Sequence, residues 1–170
     1  MSFENFQLHP AILRAVQQCG YTTPTPVQSE AIPKILAGHD VIASANTGTG
    51  KTATFVLPAL QRLTKRRFKK QYGKPSVLVL TPTRELANQV TQAIRNYGKN
   101  LRFHSVSLVG GMPYGPQLKS LSRPVDMVIA TPGRLLDLIE RNNLNLSQVN
   151  MLVLDEADRM LDMGFVDEVK

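Results

Sequence analysis

Two short strings carry most of the chemistry open to this sequence. The first is Ala45-Asn46-Thr47-Gly48-Thr49-Gly50-Lys51-Thr52. Gly48 and Gly50 permit positive φ and close backbone approach to phosphate oxygens. Successive amides and a following helix N-terminus would offer fixed positive potential to an anion. Lys51 can reach β- and γ-phosphates, and the Thr52 hydroxyl can ligate magnesium. The general phosphate-loop pattern begins with Gly, where this chain has Ala45. A glycine-rich turn that only starts a helix is the plainer account, but it leaves Lys-Thr after Gly50 unexplained.

The second string is Asp155-Glu156-Ala157-Asp158, directly after the apolar Met151-Leu152-Val153-Leu154. A carboxylate at the end of a buried strand is what a phosphate loop needs to hold magnesium. Asp155 is the candidate metal ligand, partly through water, and Glu156 the candidate general base for an attacking water. Acids that merely favour the first turn of a helix are the competing account. Together, Lys51, Asp155 and Glu156 supply the minimum parts for nucleoside triphosphate hydrolysis.

These strings need strands that deliver them and helices that follow. Apolar runs at 40–45, 76–81, 103–109, 126–131 and 150–155 read as buried strands. Helical spacing lies between them, at 53–63, 84–97 and 133–141, and two further helices at 10–19 and 26–37 precede the first strand. Strands buried on both faces and separated by helices predict an α/β fold with a mostly parallel sheet flanked by helices. Ligands of such sheets bind beyond the carboxyl ends of the strands.

Composition narrows the classes. The 170 residues hold 20 Lys+Arg against 13 Asp+Glu, a net charge of +7 that suits an anionic partner. Six of those cations, Lys65, Arg66, Arg67, Lys69, Lys70 and Lys74, fall at 64–76 without an acid. The segment reads as a helix end running into a surface loop, either simply solvated or touching nucleic-acid phosphates. One cysteine, Cys19, excludes an internal disulfide, and with three scattered histidines it argues against a zinc site. No run approaches the roughly 18 apolar residues of a membrane span. The start shows no secretory signal, so a reducing, cytoplasmic compartment is expected.

Further strings occur in a telling order. They are Gly20-Tyr21-Thr22-Thr23-Pro24-Thr25-Pro26-Val27-Gln28 with Phe3 upstream, Pro82-Thr83-Arg84-Glu85-Leu86, Gly110-Gly111, and Thr131-Pro132-Gly133-Arg134. With the phosphate loop and Asp-Glu-Ala-Asp, they resemble the first RecA-like domain of the DEAD-box ATP-dependent RNA helicases, with a bacterial-type flavour. The resemblance implies a P-loop domain of an enzyme that couples ATP hydrolysis to RNA unwinding or remodelling. It implies ATP and Mg2+ as ligands, RNA held by its backbone, a second RecA-like domain as partner, and a monomer.

By that resemblance Gln28 reads adenine. Its amide can accept from the N6 amine and donate to N7, which favours ATP over GTP by about 1–3 kcal/mol. Phe3 or Tyr21 would pack against the base, or each is an ordinary core or surface aromatic. Pro82, Thr83, Arg84, Gly110, Gly111, Thr131, Pro132, Gly133 and Arg134 would face RNA phosphate and sugar. For Pro82-Thr83 and Thr131-Pro132-Gly133 the alternative is plain turn and helix-start chemistry. Asn46 stands where the family commonly has Gln, which implies tuned interdomain contacts rather than lost binding.

The resemblance divides the chain into a helical region at 1–38 and an ATP-binding domain at 39–170. The family's Ser-Ala-Thr motif does not follow Asp158, and its strand belongs between the phosphate-loop strand and the acidic strand. The chain is therefore expected to be part of a longer helicase and, without arginine fingers worth about 10³–10⁵ in rate, nearly inactive alone. Two other classes stay open: a non-catalytic RNA-binding scaffold of the same fold, and a DNA-directed P-loop translocase.

Overall fold

The structure, a computed structural model, describes residues 3–20, 23–24, 26–36, 41–43, 51–64, 71–72, 74–147, 149 and 151–155. A 3-10 turn, Phe3–Phe6, leads into α1 (Pro10–Gln18) and α2 (Pro26–Leu36). Then follow β1 (Val41–Ala43), α3 (Lys51–Thr64), β2 (Gln71–Tyr72), β3 (Val77–Leu80) and α4 (Arg84–Tyr97). The remainder is β4 (Ser105–Leu108), α5 (Tyr114–Leu121), β5 (Pro124–Val125), β6 (Met127–Ala130), α6 (Pro132–Glu140) and β7 (Met151–Asp155).

Five strands form one sheet in the order β1-β7-β3-β6-β4, and every pairing is parallel. Alternation explains both faces. Val77, Val79, Met127, Ile129, Met151 and Val153 share one core with side chains from the first four helices, including Ile12, Ile32, Phe55 and Ile94. Leu78, Leu80, Val128 and Ala130 turn to the other face, against Leu121 of α5 and Leu135 and Leu138 of α6. Burial on both sides is why these strands are continuous apolar runs. The predicted strands at 76–81, 103–109 and 126–131 run one or two residues beyond each observed end, while residues 40, 44, 45 and 150 of the other two lie outside the described residues.

The parallel order differs from expectation at one place. The resemblance puts a further strand between the phosphate-loop strand and the acidic strand. Here β1 pairs directly with β7, Val41 opposite Val153 and Ala43 opposite Asp155. Among the described residues no strand occupies that slot, and the backbone groups of β1 on that side pair with β7.

Helix α5 and the two short strands β2 and β5 escaped the sequence reading; the strands pair antiparallel, Gln71 opposite Val125 and Tyr72 opposite Pro124. Strand β2 lies within the basic segment 64–76, of which 65–70 and 73 lie outside the described residues; α3 spans Lys51–Thr64, against the expected 53–63.

The N-terminal segment is tied to this frame. The His9 amide donates to the Gln61 side-chain oxygen of α3 at 2.7 Å, and the Asn100 amide donates to the Ala11 carbonyl at 3.2 Å. His9 also caps α1, its Nδ1 accepting from the Ala11 amide at 3.1 Å, with Pro10 in the first turn. Both α2 and α3 continue through an internal proline, Pro33 and Pro58, so packing rather than an unbroken hydrogen-bond ladder sustains them.

Helix α4 has the predicted bounds. Leu86, Ala87, Val90 and Ile94 are its buried face, and Gly98 ends it by donating to the Ile94 carbonyl at 2.8 Å. A Cβ on Gly98 would lie 2.6 Å from the Phe103 ring and 2.8 Å from that carbonyl. The carbonyl is fixed by the helix it terminates. Gly98→Ala is expected to destabilise the fold by about 1–3 kcal/mol, read from urea denaturation midpoints.

Candidate nucleotide and nucleic-acid site

The strand register brings the predicted motifs to one edge. Leu154, Leu80, Ala130 and Leu108 lie in one row across β7, β3, β6 and β4. The next row holds Asp155, with Ala43 beside it. It continues through Thr81, whose amide donates to the Ala130 carbonyl at 3.0 Å, and Thr131, whose amide donates to the Leu108 carbonyl at 3.0 Å. Past this row stand Pro82-Thr83-Arg84, Gly110-Gly111 and Pro132-Gly133-Arg134. Residues far apart in sequence thus meet at the carboxyl ends of neighbouring strands, about 4.8 Å apart.

The edge has two halves. At one, Ala43 stands beside Asp155, and α3 begins at Lys51. Thr52 is half-buried in that first turn. Ala45, Asn46, Thr47, Gly48, Thr49, Gly50, Tyr21 and Glu156 lie outside the described residues, and for Lys51 and Asp155 only the backbone is described. Gln28 is buried in α2, which packs on α3.

Phe3 is a correction. Its ring is 3% exposed in the core, edge-on to Phe6 with centroids 5.9 Å apart. Stacking on a base needs a free ring face, and this ring has none, so Phe3 is a core aromatic.

The other half is described in full. Arg84, Gly110, Gly111 and Gly133 are exposed, while Thr83, Thr131 and Arg134 are partly so. Pro82 and Pro132 are buried, so they shape the turn and the start of α6 and offer no surface to RNA. The Thr83 hydroxyl is the N-cap of α4, accepting from the Leu86 amide at 3.3 Å. Thr131 makes no such cap; its hydroxyl accepts from the Gly110 amide at 3.1 Å.

These turns hold one another through the loop between β4 and α5. Gly111 adopts φ +76°, a conformation that glycine takes without strain. Arg84 reaches the Met112 sulfur, Nη1 to Sδ 3.6 Å. Arg134 Nη2 donates to the Met112 carbonyl at 3.0 Å and its Nη1 to the Gln117 side-chain oxygen at 2.8 Å. The Arg134 guanidinium lies 3.8 Å from the Tyr114 ring centroid, and that of Arg141 lies 4.4 Å from it. The Tyr114 hydroxyl donates to Asp137, which also accepts from Arg141 Nε at 3.2 Å.

Met112, Tyr114, Gln117, Asp137 and Arg141 were not singled out from sequence. The signal was there in spacing: Tyr114 and Gln117 are three apart on one helix, and Asp137 lies three after Arg134 and four before Arg141.

The Tyr114–Asp137 pair has a pH signature. The hydrogen bond from Tyr114 holds the Asp137 carboxyl below its ordinary value, helped by Arg141 and Arg134 and opposed by burial. The same bond, with burial and the nearby carboxylate, raises the Tyr114 phenol above 10.0. The carboxylate's contribution is complete above the ordinary carboxylate range and is lost as pH falls through its lower folded value. The phenol's contribution is complete below 10.0 and is lost as pH rises through its higher folded value. The pair therefore persists unchanged across neutral pH. In an ultraviolet titration, Asp137→Asn is expected to move one tyrosine's ionisation back toward 10.0.

A family model described as DEAD/DEAH box helicase matches residues 25–170. The chain belongs to that family. Relatives in the DEAD/DEAH box helicase family cover almost all of it. The ATP-dependent RNA helicase-like protein DB10 of Nicotiana sylvestris is 48% identical over 169 residues, 99% of this chain and 28% of its own length. The ATP-dependent RNA helicase DeaD of Buchnera aphidicola is 46% identical over 171 residues, 100% of this chain and again 28% of its own length. Plant and bacterial relatives match at similar identity, so the bacterial flavour is not distinctive. A crystal structure of a hypothetical ATP-dependent RNA helicase from Sulfolobus tokodaii superposes with a TM-score of 0.84 at 40% identity, over 95% of this chain and 45% of that one. The fold is the RecA-like one of that neighbour, a parallel sheet flanked by helices. Among the described residues, no helix is long and apolar enough to cross a membrane.

Proposed function

We propose that this chain is the first RecA-like domain of an ATP-dependent RNA helicase, with ATP bound at the β1–β7 half of the edge and RNA at the β3–β6–β4 half. The observation that carries the proposal is the register. Ala43 lies beside Asp155, and the three RNA-facing turns leave the same row of the sheet.

Lys51 grips the β- and γ-phosphates, and Gln28 selects adenine. Residues 1–38 are the adenine-reading region and 39–170 the phosphate- and RNA-binding part. The donor set fits a magnesium ion: a threonine hydroxyl in the first turn of α3 and a carboxylate at the end of the strand paired with β1. Thr52 and Asp155 would hold that ion, which when bound neutralises phosphate charge. Glu156 polarises the attacking water, taking its proton. Arg84, Gly111 and Arg134 bind phosphate and sugar, which explains contact without sequence preference. A second RecA-like domain completes both sites, in a monomeric cytoplasmic protein.

Calorimetric titration of MgATP and MgGTP into the chain tests the nucleotide half. ATP is expected to bind more tightly by about 1–3 kcal/mol, and Gln28→Ala to erase the difference. Equal affinity in the wild type would contradict the adenine reading. Joined to a second RecA-like domain, the chain is expected to show ATPase activity stimulated by RNA. Stimulation by DNA instead would favour a translocase, and stimulation by neither a scaffold.

A further inference from the structure

We infer that Gln117 and Tyr114, both on α5, are positioning residues that hold the Arg134 guanidinium ready for an RNA phosphate. The inference rests on the reading of Arg134 as an RNA contact.

An arginine on a surface helix carries large rotamer freedom, and arresting it weakens the binding of a phosphate. Here that freedom is already restricted on three sides. Gln117 is 7% exposed, and its two amide groups have different duties. Nε2 donates to the Val109 carbonyl at 3.1 Å, and Oε1 accepts from Arg134 Nη1 at 2.8 Å. A carbonyl only accepts and a guanidinium only donates, so the amide has one workable orientation. The Met112 carbonyl takes a donor of Nη2 at 3.0 Å. The Tyr114 ring supports the flat face of the guanidinium at 3.8 Å.

Tyr114 is itself fixed, because its hydroxyl donates to Asp137, one turn after Arg134 on α6. Two of the five guanidinium donors thus serve orientation, one at each terminal nitrogen, and the others remain for phosphate oxygens. Val109 follows β4 directly and Met112 lies in the same loop, so the clamp also joins the Gly110-Gly111 turn to Arg134. Neither Gln117 nor Tyr114 needs to touch RNA for this role.

The test measures binding of a short fluorescent single-stranded RNA to the chain by anisotropy, at several salt concentrations. Arg134→Ala is expected to weaken binding about tenfold and to lower the salt slope by about one. Gln117→Leu, of similar volume and without hydrogen-bonding groups, is expected to weaken it about three- to tenfold. Tyr114→Leu is expected to weaken it about threefold, while Tyr114→Phe, which keeps the ring and loses only its bond to Asp137, weakens it less. In the Arg134→Ala background, Gln117→Leu and Tyr114→Leu should cost nothing more. Equal losses in both backgrounds would show a merely structural role and overturn the inference, as would unchanged binding by both α5 variants while Arg134→Ala weakens it. If Arg134→Ala itself binds normally, the RNA reading of Arg134 fails first. Should Gln117→Leu unfold, the comparison of Tyr114→Leu with Tyr114→Phe in both backgrounds decides alone.

Discussion

Lys51→Ala is expected to weaken MgATP binding at least about 100-fold, roughly 3 kcal/mol, with the melting temperature nearly unchanged. In the proposed reading, the ammonium at the start of α3 grips the two terminal phosphates of the nucleotide, and an alanine there would offer them no charge. Lys51→Arg is not a conservative rescue, since a planar fork does not fit the place of a compact point charge. Calorimetry with ATP and AMP separates the cause: the loss should be large for ATP and small for AMP, which lacks the phosphates that Lys51 reaches. Equal losses for both would mean that the substitution had disturbed the adenine site or the fold.

The second large effect is on stability. Among the described residues Phe55 is the largest fully buried side chain, 1% exposed, on the helix that Lys51 begins. It shares a core with Phe3, Ile12, Ile32, Val79 and Ile129, so it joins the N-terminal segment, α3 and the sheet. Phe55→Ala is expected to cost about 3–5 kcal/mol, a large share of the roughly 5–15 kcal/mol that holds an ordinary domain together. Phe55→Leu should cost markedly less, because it leaves a smaller cavity. Denaturant midpoints at constant slope would measure both. A loss below about 1 kcal/mol for Phe55→Ala would mean that this core does not pack as described.

Much of this architecture is written plainly in the residues. The strands Val77–Leu80 and Met127–Ala130 are buried on both faces, and Met151–Leu154 is buried on one face and partly buried on the other, so they appear as unbroken apolar runs. Helix α4 shows a clean apolar stripe, a threonine cap and a terminal glycine, and its ends were readable to the residue. Helix α5 was hidden because Gly115 and Pro116 interrupt its propensity and its buried face consists of only Gln117 and Leu121. The two-residue strands β2 and β5 are too short for any period.

The site followed the same division. Strand-end turns could be assigned to one edge from pattern alone, because parallel sheets collect their carboxyl ends there. The bonds among those turns could not, since they depend on side chains of the hidden helix. Pro82 and Phe3 carried signals of site residues, yet burial gives them structural work. The direct β1–β7 pairing was beyond reach too, because neighbourhood in a parallel sheet is set by which other strands compete for an edge.

Amide hydrogen exchange of the chain, alone, with MgATP and with single-stranded RNA, tests the shared edge most directly. MgATP is expected to slow exchange in the segment joining Ala43 to Lys51 and next to Asp155, and RNA to slow it at 83–84, 110–112 and 133–134. Protection by either ligand at the opposite ends of the strands, around 74–76, 102–104 and 122–125, would contradict the account.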